Sequence, residues 1–260
     1  MASGFLTSRP RGAYTCARGN ADGYVLSKDL HVRRLLDSTQ VIFGAVEDLD
    51  LKQRLVNLFE TERLPADMMI VVLLYRDLLN GFVIEHQMFP VSMKRSFVRR
   101  VAVGGGAGRR NPAAKDTAWI IDRKPLEHLK KTLEAEELIL VDSYQGVELL
   151  EGLVTNLFVV TKDNTVLTAP ADKVLPGTMR QLAIDACQNA GLIVKEEAPR
   201  WASRKDWIAV FLTSVAKPCN FVKSLVPSDE SIGGDSVVLD VSESVVTIIS
   251  AAADALVLKN

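Results

Sequence analysis

The chain has 260 residues, of which 48% are hydrophobic and 24% are charged, a composition typical of a soluble globular protein. A chain of this length forms one large or two medium domains and buries roughly three quarters of its unfolded surface without disulfides or a structural metal. Its formal net charge of -1 excludes bulk attraction to nucleic acid or to an anionic membrane, so we expect neither as a partner.

The N-terminal part alternates strand-like and helix-like patterns. The predicted elements are a strand at Gly12–Arg18, a helix at Asp29–Phe43 capped by Ser27, a helix at about Asp48–Arg63, and strands at Met68–Leu74, Phe82–Phe89 and Val98–Val103. The run Met68–Leu74 (MMIVVLL) is the most apolar of the chain, and it is far shorter than the roughly 20 residues of a membrane span. We therefore predict a buried strand there.

A glycine-rich run, Gly104–Gly108 (GGGAG), follows this part and is the clearest boundary in the sequence. Its backbone amides could bind a phosphate, but it has no GK[ST] ending and no GxGxxG pattern that opens a helix. We favour an interdomain linker over a nucleotide-binding or apolar-ligand module built on this run. The predicted organisation is a smaller N-terminal α/β domain at 1–103, a linker at 104–114 and a larger C-terminal domain at 115–260.

The C-terminal part combines a few helices with many short strands rich in β-branched residues. The predicted helices are about Ala114–Glu134, Gly177–Ala190 and a terminal helix at Ser242–Leu258. The predicted strands are Glu137–Asp142, Val147–Glu151, Asn156–Thr161, Val166–Thr168, Ile193–Glu197, Trp207–Thr213, Asn220–Leu225 and Val237–Leu239. This pattern predicts a mixed domain whose strand pairs are mainly antiparallel.

Cysteine and histidine spacing indicates neither a disulfide scaffold nor a metal site. There is no CxxC pair and no metal-ligand spacing among the six residues concerned, which are Cys16, Cys187, Cys219, His31, His86 and His128. The pattern favours a reducing compartment, and the N-terminus has no hydrophobic signal core. We expect a cytoplasmic location, and an organelle presequence absent from this sequence is left open.

Four segments, in chain order, carry a resemblance to a known family. They are the helix segment His31–Ser38 (HVRRLLDS), the segment Asn111–Glu127 (NPAAKDTAWIIDRKPLE), Leu149–Val159 (LLEGLVTNLFV) and Val174–Arg180 (VLPGTMR). The set resembles the fold-type IV enzymes that depend on pyridoxal 5'-phosphate, the D-amino-acid and branched-chain aminotransferase-like family. The resemblance implies a two-domain α/β (α+β) fold with the cofactor at the domain interface.

The resemblance implies that Lys115 binds the cofactor covalently and then moves protons on the substrate. The alternative lysine, Lys124, lies in a charged run typical of a solvated surface, whereas small residues precede Lys115 and Trp119 follows it. The resemblance also implies that Glu151 pairs with the cofactor ring nitrogen. The neighbouring motif residues Thr155 and Asn156 are cofactor-binding candidates.

For the cofactor phosphate, the resemblance implies Arg34, whose guanidinium can bind phosphate oxygens in bidentate fashion. The turn that opens the helix after Gly177 adds the backbone amides of Thr178 and Met179. A later segment supplies a threonine hydroxyl to the phosphate in the family, but the alignment places Val215 there, after Ser214. We count both Ser214 and Val215 as candidate phosphate neighbours.

On the substrate side the resemblance implies Tyr14, with a place in the protein core as the alternative. The strand that precedes Tyr14 in relatives is missing here or reduced to Phe5 and Leu6.

The implied reaction is transfer of an amino group between an amino acid and a 2-oxo acid, carried out by a homodimer. Two alternatives stay open at the level of sequence: an aminodeoxychorismate-lyase-like enzyme that uses the same cofactor residues, and a non-catalytic paralogue that retains the fold. The shortened N-terminus and Val215 motivate the second.

Overall fold

The computed structural model describes residues 2–46, 48, 50–79, 81–91, 97–106, 108–144, 146–241, 243 and 245–251. These residues divide into two compact units. The first takes residues up to 91 together with 113–122, and the second takes residues 97–112 together with those from 123 onward. The division differs from the predicted one, because Lys115 belongs to the N-terminal unit and not to the C-terminal domain.

The first unit is an antiparallel sheet covered by helices. Its elements are α1 (Ala2–Thr7), β1 (Gly12–Arg18), α2 (Lys28–Phe43), α3 (Leu51–Thr61), β2 (Met68–Asp77), β3 (Gly81–Pro90) and α4 (Ala118–Asp122). The strand order is β1–β2–β3. Segment 113–122 joins this unit because Ala13 of β1 pairs with Asp116, and Thr117 exchanges hydrogen bonds with Gly12.

Strand β2 is buried on both faces, which explains its continuous apolar run. Val72 packs with Leu35 of α2 and Phe59 of α3, while the adjacent Val71 points to the other face and packs with Phe5. The buried strand predicted from the sequence is therefore confirmed. Phe5 and Leu6 lie in helix α1, so of the two alternatives for the strand before β1 the described residues show the missing strand and not the reduced one.

The second unit is built on one large mixed sheet. Its elements are β4 (Val101–Val103), α5 (Lys124–Thr132), β5 (Glu137–Asp142), β6 (Glu148–Gly152), β7 (Asn156–Thr161), β8 (Thr165–Leu167), α6 (Thr178–Asn189), β9 (Ile193–Lys195), a 3-10 helix (Trp201–Asp206), β10 (Trp207–Thr213), β11 (Asn220–Phe221), β12 (Ser224–Pro227) and β13 (Val237–Val238). The strand order is β11–β10–β7–β6–β5–β4–β12–β13, with β8 and β9 branching from β7. Most pairs are antiparallel, as predicted, and β4 lies parallel to β5 and β12.

The two faces of this sheet carry separate cores, and the alternation of side chains decides which residues meet helix α6. Phe158 and Phe211 stack with ring centroids 4.8 Å apart and pack with Ala183 of α6. Because side chains two positions apart share a face, Asn156 and Thr213 point to that same face. They lie directly opposite each other where β7 begins and β10 ends.

The single helix predicted at Ala114–Glu134 is two helices, α4 and α5. Helix α4 begins only after Asp116, whose carboxylate accepts a hydrogen bond from the Ala118 amide at 2.8 Å. The interruption falls at Arg123, two residues before Pro125. Proline lacks the N–H that a continuous helix requires, and it is tolerated in the first turn of a new helix.

Most other predicted elements are confirmed with shifted ends. The strand predicted at Asn220–Leu225 is two short strands, β11 and β12. The terminal helix predicted at Ser242–Leu258 is helical over residues 245–251, and residues 252–258 lie outside the described part of the chain.

The first glycines of the glycine-rich run pack onto the second unit. Gly104 has a φ of 114° and donates a hydrogen bond to the Ile139 carbonyl, and a side chain on it would overlap Ser228 and Ile232. Close approach of the backbone and a left-handed conformation both require glycine here. This part of the predicted linker is therefore a packed end of strand β4.

Candidate active site

Lys115 is fixed through its main chain in the first unit. Its amide donates to Ser38 Oγ at 3.0 Å, and its carbonyl accepts a hydrogen bond from the Tyr14 amide at 2.9 Å. Its half-buried side chain places Nζ 4.7 Å from the centroid of the Tyr14 ring, within cation–π distance. Lys124, the alternative lysine, is exposed at the start of α5. The structure therefore places Tyr14 beside the predicted cofactor lysine, and Ser38 is a supporting residue that the sequence did not single out.

Arg34 on helix α2 is buried beneath the same part of β1. Its guanidinium donates to Thr15 Oγ1, and Thr15 Oγ1 lies 2.7 Å from His31 Nδ1. Burial lowers the pKa of His31 well below 6.5, and the charges of Arg34 and Lys115 lower it further. A neutral His31 can accept a hydrogen bond from the Thr15 hydroxyl at Nδ1. This assignment satisfies the hydrogen bonds that run from Arg34 through Thr15 to His31 and that orient the Arg34 side chain.

Glu151 is a buried carboxylate in the second unit, with 2% of its surface exposed. Its Oε1 accepts a hydrogen bond from Arg109 Nε at 2.9 Å. Its Oε2 accepts from the Leu175 amide at 3.2 Å and lies 3.5 Å from Asn156 Nδ2. These contacts from both sides fix the carboxylate at the end of strand β6. Arg109 follows the glycine-rich run directly beside Arg110, which is exposed, yet the Arg109 side chain is only 5% exposed.

The two residues predicted beside Glu151 differ in what they contact. Asn156 pairs with Glu151 across the sheet and donates to the Leu175 carbonyl at 2.9 Å, which ties the loop before α6 to the carboxylate. Thr155 instead donates its hydroxyl to the buried Glu137 carboxylate at 3.0 Å. Glu137 also accepts the Leu153 amide, so Thr155 stabilises the turn between β6 and β7.

The start of helix α6 has the features of an anion site. Gly177 precedes the helix without a side-chain cap, and a Cβ on Gly177 would overlap Asn156 Oδ1. The hydroxyls of Thr178 and Thr213 are buried and have no hydrogen-bond partner among the described residues. A helix N-terminus attracts anions through its N–H groups and its dipole, and buried hydroxyls require an acceptor or donor. A phosphate fits this donor set.

The hydroxyl expected from the segment after β10 is placed differently from the prediction. Ser214 Oγ accepts the Lys217 amide at 3.1 Å in a tight turn, and Val215 has no hydroxyl to offer. Thr213, one residue earlier, is 1% exposed and lies opposite Asn156. In this segment the buried hydroxyl without a hydrogen-bond partner among the described residues is therefore that of Thr213, which the sequence analysis did not count among the site residues. Met179 is buried in the first turn of α6.

Arg180, the last residue of the VLPGTMR motif, stabilises the fold on the far side of α6. It donates to the Ala169 carbonyl at 2.7 Å and to Glu196 at 2.8 Å. Across the described part of the chain, no group of three or more His, Cys, Asp or Glu side chains could hold a metal ion. No helix among the described residues is long and apolar enough to cross a membrane.

The cofactor implied by the sequence can be compared with these residues group by group. Lys115 offers an amine to an aldehyde, Glu151 offers a buried carboxylate to a ring nitrogen, and Arg34 offers a guanidinium to a phosphate. Thr178 and Thr213 offer unpartnered hydroxyls to a phosphate at a helix N-terminus. The residues present therefore fit pyridoxal phosphate in chemical type.

Comparisons with known proteins identify relatives in sequence and several solved structures with the same fold. A "Probable branched-chain-amino-acid aminotransferase" of Rickettsia bellii (strain RML369-C) is 35% identical over 112 residues, which are 43% of this chain and only 38% of that relative. Two solved structures share the fold at 19% identity. A putative 4-amino-4-deoxychorismate lyase from Legionella pneumophila has a TM-score of 0.72, with 94% of this chain and 91% of that chain covered. The PLP-bound form of a hypothetical aminotransferase from Mycobacterium tuberculosis has a TM-score of 0.72, with 95% and 88% covered.

The family model described as "Amino-transferase class IV" matches residues 12–225, which include all four motif segments. The match covers most of the chain and extends from strand β1 to strand β12. The chain belongs to the class IV aminotransferase family.

Proposed function

We propose that this protein is a pyridoxal-phosphate-dependent aminotransferase that moves an amino group between an amino acid and a 2-oxo acid. The observation that carries the proposal is the anion site at the start of α6, which lies in the same unit as the buried carboxylate of Glu151. Family membership supports the same cofactor. The chain spans little more than a third of the length of the Rickettsia relative. The proposed activity therefore rests on the residues of this chain and not on the activity of that relative.

In this proposal Lys115 binds the cofactor covalently through Nζ. The bound cofactor supplies a conjugated ring that can take up the electron pair left when the substrate Cα–H bond breaks. When its amine is free, Lys115 would take the proton from the substrate Cα and hold it during the transfer. The main-chain hydrogen bonds to Ser38 and Tyr14 hold the base of the Lys115 side chain still during this transfer.

Glu151 would hold the cofactor ring at its nitrogen, where the carboxylate would favour the protonated form. A carboxylate within a few ångströms raises the proton affinity of such a nitrogen. Main-chain and side-chain donors fix the Glu151 carboxylate before the cofactor binds, so the carboxylate needs little reorganisation on binding.

We assign the cofactor phosphate to the Thr178 and Thr213 hydroxyls and the first amides of α6, including that of Met179. The family resemblance implies the Arg34 guanidinium as a phosphate ligand as well. Thr213 takes the part expected from the segment containing Ser214 and Val215. The substitution of valine at 215 therefore does not leave the phosphate without a hydroxyl from this segment. We assign Tyr14 to the substrate side, where its ring also contacts Lys115.

A turnover assay tests the function. The protein loaded with pyridoxal phosphate is given a panel of amino acids with 2-oxoglutarate or pyruvate, and the new amino acid and 2-oxo acid are measured. We expect transfer in the wild type and in Lys124→Ala, and a loss of at least about 100-fold in Lys115→Ala.

Dependence on the added 2-oxo acid separates this function from a lyase. A carbon–carbon lyase of the kind named for the Legionella structure would turn over its substrate without an acceptor, and it would show no transfer with the panel. Absence of both activities despite bound cofactor would favour a non-catalytic paralogue. A homodimer and a cytoplasmic location stay part of the proposal; sedimentation of the holoprotein tests the first, and fractionation of cells tests the second.

A further inference from the structure

Arg109 and Glu151 form the ion pair with the lowest exposure on both side chains among the described residues, at 5% and 3%. Arg109 lies in the loop after β4 and Glu151 at the end of β6, 42 positions apart in sequence. Burying two charges is costly, and it is tolerated where the geometry is good and further hydrogen bonds satisfy both groups. Glu151 meets that condition, because its second oxygen accepts the Leu175 amide.

This pairing bears on the role proposed for Glu151. A carboxylate that stands alone beside a ring nitrogen strongly favours the protonated ring, since the two charges attract. A carboxylate already paired with a guanidinium favours it less, since the guanidinium offsets part of the negative charge and repels a second cation. The strength of the Glu151 effect therefore depends on Arg109.

Resting on the function proposed above, we propose that Arg109 is a positioning residue that orients Glu151 and moderates how strongly it holds a proton on the cofactor ring nitrogen. Arg109 acts through the carboxylate and does not itself need to touch substrate. In consequence, the proton content of the ring, and with it the ability of the ring to accept electrons, is set by a pair of residues and not by Glu151 alone.

The experiment measures the ring nitrogen directly. Pyridoxal phosphate labelled with ¹⁵N in the ring is bound to the wild type and its variants, and the nitrogen chemical shift is followed against pH. Arg109→Met removes the guanidinium charge, and Arg109→Lys retains a cation at the position. Arg110→Met is the matched control, because Arg110 is the adjacent and exposed arginine.

In Arg109→Met we expect the ring nitrogen to lose its proton at a pH higher by about one unit or more than in the wild type. Arg110→Met should titrate as the wild type does, and Arg109→Lys should return most of the way toward it. Arg109→Gln, which is neutral but still donates a hydrogen bond, carries the same prediction if Arg109→Met does not fold.

Two results would overturn the inference, and they are distinguishable. Identical titration of the ring nitrogen in Arg109→Met or Arg109→Gln and the wild type would show that the ion pair only stabilises the fold. If the wild type binds no pyridoxal phosphate and borohydride attaches none to Lys115, the proposed function fails and this inference fails with it.

Discussion

Removal of either member of the Arg109–Glu151 pair should destabilise the protein before any cofactor is involved. The two side chains are 5% and 3% exposed, and their nearest atoms are 2.9 Å apart. Arg109→Met leaves the Glu151 carboxylate buried with only its other hydrogen bonds, and Glu151→Gln leaves the Arg109 guanidinium buried opposite a neutral amide. Each single variant therefore leaves one buried charge without its ionic partner in this pair.

The expected cost follows from that burial. Breaking a buried ion pair on one side lowers the free energy of unfolding by about 3–5 kcal/mol, because the remaining charge stays buried after it has lost its ionic partner. We expect the lower end for Arg109→Met, because the Leu175 amide still donates to Glu151 Oε2. The double variant Arg109→Met/Glu151→Gln contains neither buried charge, and its free energy of unfolding should lie within about 1 kcal/mol of that of the wild type.

Urea unfolding of the apoprotein, followed by circular dichroism and tryptophan fluorescence, measures the four free energies of this cycle. The exposed pair Lys162–Asp206, 63% and 68% exposed with 3.2 Å between charged atoms, is the internal control. Its cycle of Lys162→Met and Asp206→Asn should give a coupling below about 1 kcal/mol. Additive losses in the Arg109–Glu151 cycle would refute the argument, because they would mean that neither charge is compensated by the other.

Three further predictions concern single residues. The pKa of His31 is well below 6.5 in the fold, so the unfolded chain binds an extra proton below that pH. Stability should therefore fall by about 1.4 kcal/mol per pH unit below pH 6.5, and His31→Asn should remove that slope in urea titrations; an unchanged slope in this variant would contradict the argument. Thr213→Val should weaken cofactor binding by about tenfold or more while Ser214→Ala leaves it unchanged, as measured by equilibrium dialysis; equal affinities would remove Thr213 from the phosphate site. Gly177→Ala should lower the free energy of unfolding by about 1–3 kcal/mol, because its methyl group would overlap the side-chain amide of Asn156. An unchanged midpoint in urea would show that the loop can shift to make room.

Local patterns carried most of the fold. The seven-residue run Met68–Leu74 predicted a buried strand, because a strand covered by helices on both faces has no polar side to alternate. Pro125 also indicates the break between α4 and α5, but the helical pattern on both sides of it favoured a single continuous helix.

Non-local contacts decided what the sequence could not. The place of Lys115 in the N-terminal unit depends on pairing between Ala13 and Asp116, which are far apart along the chain. Nothing in the local sequence indicates that the loop carrying Arg109 reaches Glu151. Charge patterns describe neighbours in sequence, whereas a buried ion pair is a property of the tertiary structure.

The sequence proposes the candidate site as a set of residues, and the structure adds the contacts that each of them makes. Motif order led to Lys115, Arg34 and Glu151, and the structure gives each a defined set of contacts. The hydroxyl for the phosphate was expected around Val215, while the unpartnered one belongs to Thr213. The difference of two positions arises because strand β10 ends at Thr213 and the turn begins after it, and the sequence alone does not determine this boundary.

Reduction of the cofactor onto the protein tests the central claim most directly. The protein is incubated with pyridoxal phosphate, reduced with borohydride and digested with trypsin, and the peptides are mapped by mass spectrometry with Lys115→Ala and Lys124→Ala in parallel. We predict a pyridoxyl group on Lys115 in a peptide spanning residues 111–123, because trypsin does not cleave after a modified lysine. The label should persist in Lys124→Ala and disappear in Lys115→Ala. A label on Lys124, or no label on any lysine, would contradict the account.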